Sequence, residues 1–91
     1  MTLEKSIERH LFQKVKELGG KCIKLNPLNN IGVPDRLILL PGGKTVFIEL
    51  KQKGQKPRKN QHYQHATLQN MDFQVLVIDS KQGVDEFVRT A

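Results

Sequence analysis

There is one cysteine among the 91 residues, Cys22, no tryptophan, and a single tyrosine, Tyr63. A lone cysteine excludes an internal disulfide, and no Cys/His spacing matches a structural zinc site. With so few aromatic side chains, stacking of bases on aromatic platforms is excluded as the main way of holding nucleic acid. No apolar run approaches the ~20 residues of a membrane span. Met1 to Lys16 is charged and periodic, unlike a secretory leader. A cytoplasmic setting without a membrane partner is therefore expected. Acidic residues are also few, nine against fifteen Lys and Arg, which leaves a net charge of +6. A small basic protein favours polyanions, and nucleic acid is the commonest of these.

The length predicts a single domain over residues 1–91, near the lower limit of what folds alone. Such a domain buries only about two-thirds of the surface its unfolded chain exposes. It has little core to devote to unpaired charge, so carboxylates turned inward need a reason.

Residues 3–18 read as a helix, with Leu3, Ile7, Leu11, Phe12, Val15 and Leu18 at helical spacing, Thr2 as N-cap and Gly19-Gly20 as the stop. Glu17 falls outside the apolar arc of this helix, whereas Glu4 and Glu8 fall inside it. Residues 21–25 read as a strand and 26–32 as a loop; 36–40 and 45–51 form a hairpin around Pro41-Gly42-Gly43-Lys44. A basic loop spans 52–60, a helix 61–71, a fourth strand 73–78 and a short closing helix 84–89. Three consecutive strands followed by a helical crossover to a fourth predict an α/β fold whose mixed sheet is flanked by helices, the last strand running parallel to its partner.

In the third strand Val46, Ile48 and Leu50 face one way, and Phe47, Glu49 and Lys51 the other. Glu49 and Lys51 are then neighbours on one face, about 7 Å apart. Asp35 stands at the mouth of the strand that the hairpin pairs with them. Two carboxylates and a lysine thus converge at one end of a sheet. Paired carboxylates bind a hard divalent cation through oxygen, the cation polarises a phosphodiester and activates water, and a lysine stabilises the added negative charge of the transition state. Singly, each residue reads as a surface salt bridge or a turn; together, with Phe47 on their face, they point to phosphodiester hydrolysis. Lys51, Lys53, Lys56, Arg58 and Lys59 lie within nine residues, a stretch suited to tracking phosphates, and Lys21, Lys24 and Arg36 extend that surface. His62 and His65, three apart on a helix, suit the surface or DNA better than a metal, given an oxygen-rich site elsewhere. His10 carries no role.

Pro34-Asp35, then after thirteen residues Glu49-Leu50-Lys51, resembles the PD-(D/E)XK nuclease motif. The longer strings Gly32-Val33-Pro34-Asp35-Arg36 and Phe47-Ile48-Glu49-Leu50-Lys51, with Gln61, resemble the stand-alone type of the VRR-NUC family, and the likeness runs from the first helix to Val77. The resemblance implies an α-β-β-β-α-β restriction-endonuclease-like core, phage or bacterial origin, and a Mg²⁺- or Mn²⁺-dependent endonuclease. It implies Asp35, Glu49 and the Leu50 carbonyl as metal ligands, Lys51 as catalytic lysine, and Gln61 as a residue shaping the site. It also implies a metal-proximal glutamate on the first helix, Glu8 by its distance from Gly19-Gly20, with Glu4 as competitor. Arg36, Lys53, Lys56, Arg58 and Lys59 are the expected DNA contacts. A homodimer acting on branched DNA such as four-way junctions is expected, its interface on the closing helix (Val84, Phe87, Val88) or the outer parts of helix one. The competing classes are a non-catalytic nucleic-acid-binding module and a nuclease subunit that cuts only within a larger complex.

Overall fold

Helix α1 (Leu3–Glu17) forms where apolar residues recur every fourth position, and its Ile7, Leu11 and Val15 are fully buried. Each contributes about 1.5–3 kcal/mol by leaving water. The helix ends at the expected glycines. Gly19, at φ +82°, carries the chain into the left-handed region, and the N–H groups of Gly19 and Gly20 donate to the carbonyls of Lys16 and Val15, a Schellman closure. The computed structural model describes residues 3–25 and 32–91. The predicted Thr2 cap, the side chain of Leu3 and the 26–31 part of the predicted loop lie outside the described residues.

After α1 come β1 (Lys21–Lys24), β2 (Arg36–Leu40), β3 (Lys44–Leu50), α2 (Lys59–Asn70), β4 (Gln74–Ile78) and α3 (Lys81–Thr90). The sheet order is β1-β2-β3-β4, with β1, β2 and β3 antiparallel in turn and β4 parallel to β3. The predicted mixed sheet and its parallel last strand are both present. The two later helices start earlier than the sequence suggests, each at a capped first turn: Gln61 accepts the Arg58 N–H at 2.7 Å and Ser80 accepts the Gly83 N–H at 3.0 Å.

Strand alternation splits the sheet into two unlike faces. Ile38, Leu40, Val46, Ile48, Leu50 and Ile78 meet α1 and α3 and, with Val84 and Phe87, complete the core. Val84 and Phe87 are thus consumed by the monomer, not available as an interface. On the opposite face α2 lies against β4, while Ile23, Leu37, Leu39 and Phe47 lie towards the other edge, Ile23 and Leu39 being exposed. Phe73 meets Phe47 edge to face, with centroids 5.5 Å apart. Phe12 and Leu18, expected in the helix-one stripe, are exposed, Phe12 by 53%. Phe12 borders an open groove beside β1, the edge strand, where little of the sheet remains to cover it.

Gly32 ties the two halves of this arrangement together. Its φ is +97°, and a Cβ there would lie 2.6 Å from the Asn60 carbonyl oxygen. The segment entering β2 therefore packs on the first turn of α2 at a distance only glycine permits. Gly32→Ala is expected to cost roughly 1–3 kcal/mol, the scale of overpacking, read as a lower urea midpoint at unchanged slope.

Candidate active site

Asp35 sits one residue before β2, on backbone fixed from both sides: its carbonyl accepts the Leu25 N–H at 2.9 Å and Arg36 Nη1 at 3.0 Å. Its Oδ1 accepts the Leu50 N–H at 3.2 Å, so the Leu50 peptide and the Asp35 carboxylate share the open end of the β2–β3 hairpin. Burial raises the Asp35 pKa; Arg36 and the Leu50 hydrogen bond oppose the rise, and Glu4 adds to it.

Glu49 alternates onto the α2 face of β3 and is only 4% exposed. Its pKa is pushed up to about 7, first by burial, then by the Asp35 charge; Lys51 and Arg36 pull it down, and Glu4 pushes it up again. Lys51 Nζ stands 3.9 Å from Glu49 Oε2. That separation is too long for a hydrogen bond but close enough for the ammonium to act on the carboxylate. The Lys51 backbone is anchored separately, its N–H donating to the Ile78 carbonyl at 3.0 Å. The structure brings Asp35, Glu49 and Lys51 together, as the strand alternation suggested, with the Leu50 peptide beside Asp35.

The two helix-one glutamates part company. Arg36, on the core-facing side of β2, is 5% exposed; its Nη2 reaches Glu8 at 3.1 Å and its Nη1 reaches Asp35 Oδ2 at 3.5 Å. Glu8 also meets Lys5 at 4.0 Å and lines a groove of ≈ 680 Å³ with Phe12, Cys22 and Lys24. Glu4 is the helix-one residue whose charge raises the pKa of both Asp35 and Glu49. Arg36, expected among the DNA contacts, instead spends its guanidinium between two carboxylates.

Gln61 is half-buried, and its carbonyl oxygen is committed to capping α2. Lys53, Lys56 and Arg58 are exposed on the loop between β3 and α2, and Lys59 on the first turn of α2; Asp79 ties the loop down by accepting the Gly54 N–H at 3.2 Å. His62 is exposed, but His65 is the buried residue of α2, 6% exposed, with Nε2 3.9 Å from Glu49 Oε1. Burial lowers the His65 pKa, with His62 and Lys51 adding to the effect. Glu49 Oε1 and His65 Nε2 are both buried without a hydrogen-bond partner. The sequence reading missed this contact. The one available signal was a histidine in a helix with little amphipathic character of its own.

Among the described residues no three His, Cys, Asp or Glu side chains form a ready-made metal cluster. The donors present nevertheless fit a hard divalent cation. Mg²⁺ retains several waters and takes one or two carboxylates, and Asp35 and Glu49 are two such groups: the Asp35 charge raises the proton affinity of Glu49, which also carries an orphaned buried oxygen.

The comparisons with known proteins bear on this geometry. No family-level sequence model matches the chain. A protein of Acyrthosiphon pisum secondary endosymbiont phage 1, named "Putative nuclease p44", is 45% identical over 78 residues, 86% of this chain and 84% of that one. A solved structure described as a VRR_NUC domain superposes with a TM-score of 0.92 at 29% identity, covering 98% of this chain and 97% of that one. The chain belongs to the VRR-NUC family. Its α-β-β-β-α-β core is therefore a VRR-NUC core nearly end to end, and the fold read from the residue pattern stands. Among the described residues no helix of this VRR-NUC chain is long and apolar enough to cross a membrane.

Proposed function

We propose that this VRR-NUC chain is a divalent-metal-dependent DNA endonuclease, a single catalytic domain over residues 1–91. The observation that carries the proposal is the placement of Glu49: a carboxylate buried without a hydrogen-bond partner on Oε1, beside Asp35 and within 3.9 Å of Lys51. A non-catalytic nucleic-acid-binding module has no use for two carboxylates in that position, where they repel phosphate unless a cation intervenes.

Asp35, Glu49 and the Leu50 carbonyl are the residues that would hold Mg²⁺ or Mn²⁺. When bound, the ion polarises a phosphoryl oxygen and eases deprotonation of water. Lys51 Nζ, directed at the same carboxylate, places a compact positive charge where the phosphorane gains negative charge. Arg36 neutralises the back of Asp35 and engages Glu8 in an ion pair, so that Glu4, whose charge raises the pKa of both Asp35 and Glu49, is the helix-one carboxylate that would support a metal there. On this reading Glu4→Gln lowers cleavage at limiting Mn²⁺ by roughly tenfold, the lower end of the loss when metal-site support is removed. Glu8→Gln acts on stability through Arg36 instead. Rates over a Mn²⁺ titration check both, and an impaired Glu8→Gln beside a normal Glu4→Gln reverses the assignment.

Lys53, Lys56, Arg58 and Lys59 lead away from Lys51 and form the phosphate track. Branched DNA is the proposed substrate and a homodimer the acting unit, because one small domain offers a narrow footprint and a twofold pair supplies two cuts in fixed relation. The interface assigned is the apolar sheet face of Ile23, Leu37, Leu39 and Phe47. Phage or bacterial cytoplasm is the proposed setting, given the phage relative. The test is a panel of labelled linear, flapped and four-way DNA with Mn²⁺, run beside light scattering. Paired symmetric nicks in the four-way junction and a mass of twice 10.4 kDa are expected. Equal random nicking of every substrate by a 10.4 kDa species leaves a generic monomeric nuclease.

A further inference from the structure

A buried imidazole at the only buried position of α2 is an odd choice for a helix that packs against a sheet. Leucine there would add apolar burial, whereas an unpartnered ring nitrogen costs about 1–3 kcal/mol. His65 Nε2 nevertheless points at one atom, Glu49 Oε1, which is itself buried and unpartnered, across 3.9 Å. The other oxygen, Oε2, faces Lys51 Nζ across the same distance. The carboxylate thus lies between an imidazole and an ammonium, each just beyond hydrogen-bonding range. The frame around this gap is rigid. Glu49 is paired with Val77 on β4, and its chain neighbour Ile48 with Arg36 on β2. The first turn of α2 is seated against Gly32, three residues before Asp35. The segment that presents Asp35 therefore also registers the helix that presents His65.

We infer that His65 is a positioning residue for Glu49: with its proton on Nε2 and a cation bound, it would close the 3.9 Å gap, donate to Oε1 and so fix which way the carboxylate presents its oxygens to the cation. This inference rests on the metal-dependent reading of the site. Hydrogen bonds to a ligating carboxylate orient it, and their loss typically weakens metal binding 10–100-fold. His65 does not touch substrate in this account and acts only through Glu49.

The test is calorimetric titration of Mn²⁺ into the parent chain and into His65→Leu, His65→Met and His65→Gln, with thermal melting of each in EDTA. The leucine and methionine variants are expected to bind Mn²⁺ at least tenfold more weakly. They should melt no lower than the parent in EDTA, because an orphaned polar atom has been replaced by a hydrocarbon; methionine, the more adaptable in shape, serves if leucine does not fold. His65→Gln keeps an N–H donor on a side chain of similar reach and is expected to recover most of the affinity. Cleavage at saturating Mn²⁺ should stay within a few-fold of the parent in all three. Parental Mn²⁺ affinity in the apolar variants overturns the inference, leaving His65 a packing residue. A glutamine variant as weak as the apolar ones also overturns it, because the ring nitrogen is then needed as a ligand. Absence of Mn²⁺ binding by the parent chain is a separate result that removes the metal reading itself.

Discussion

Glu49→Gln is expected to give a protein that neither binds Mn²⁺ nor cuts DNA, yet melts above the parent when both are metal-free at pH 8. The first half follows from loss of an anionic ligand. The second follows from the direction of the pKa shift. Glu49 is raised from 4.5 to about 7 in the fold, so folding penalises its ionised form. The penalty is absent below the unfolded value, grows as the pH rises from 4.5 to 7, and is fully present above 7. At 1.36 kcal/mol per pH unit its ceiling is on the order of 3 kcal/mol. Glutamine keeps the shape and drops the charge, so the variant gains several degrees at pH 8 and loses most of that gain at pH 5. The lowered pKa of His65 is common to both proteins and leaves the difference largely unchanged. Melting curves in EDTA at the two pH values measure this directly. Added Mn²⁺ should reverse the order at pH 8 by stabilising only the parent. A variant less stable than the parent at both pH values would mean that Glu49 is comfortably paired in the metal-free fold.

The second large effect belongs to Lys51. Lys51→Ala should bind Mn²⁺ with affinity close to the parent's and turn over at least roughly 100-fold more slowly, the scale of losing one donor to a transition-state oxyanion. The split is expected because Lys51 Nζ stands 3.9 Å from Glu49 Oε2 as a neighbour, not a hydrogen-bonded partner. Removing it leaves the acidic donors in place. It also removes a charge that lowers the Glu49 pKa, so the pH needed for half-maximal metal binding moves upward. Lys51→Arg should not restore the rate, since a planar fork replaces a compact ammonium. Single-turnover rates at saturating Mn²⁺, with calorimetry on the same preparations, separate the two effects. Near-parental turnover in Lys51→Ala reduces the residue to a loop charge.

The parts of this site legible in the sequence are those that strand geometry dictates. Period-two alternation put Glu49 and Lys51 on one face, and the Pro41-Gly42-Gly43 turn set the hairpin that brings Asp35 beside Leu50. The choice between Glu4 and Glu8 was not legible, because both lie in the same arc of α1. Arg36 separates them by reaching up from β2, and its neighbours follow only once the sheet register is known. His65 was hidden for a similar reason. Its partner lies sixteen positions earlier on another element, and its burial depends on the docking of α2 at Gly32. Two of the interface candidates, Val84 and Phe87, failed on arithmetic of area: in so short a chain they are needed to close the core over α1. That need leaves the β1–β2 half of the opposite sheet face, which α2 does not cover, as the apolar surface.

The measurement closest to the central claim is cleavage of one labelled DNA by the parent chain, by Glu49→Gln and by Lys51→Ala, purified identically and assayed with Mn²⁺ and with EDTA. The proposal predicts cutting by the parent in Mn²⁺ alone, none by Glu49→Gln, and a residual rate at least roughly 100-fold lower for Lys51→Ala. Equal cutting by all three proteins, or cutting by the parent that persists in EDTA, would contradict it.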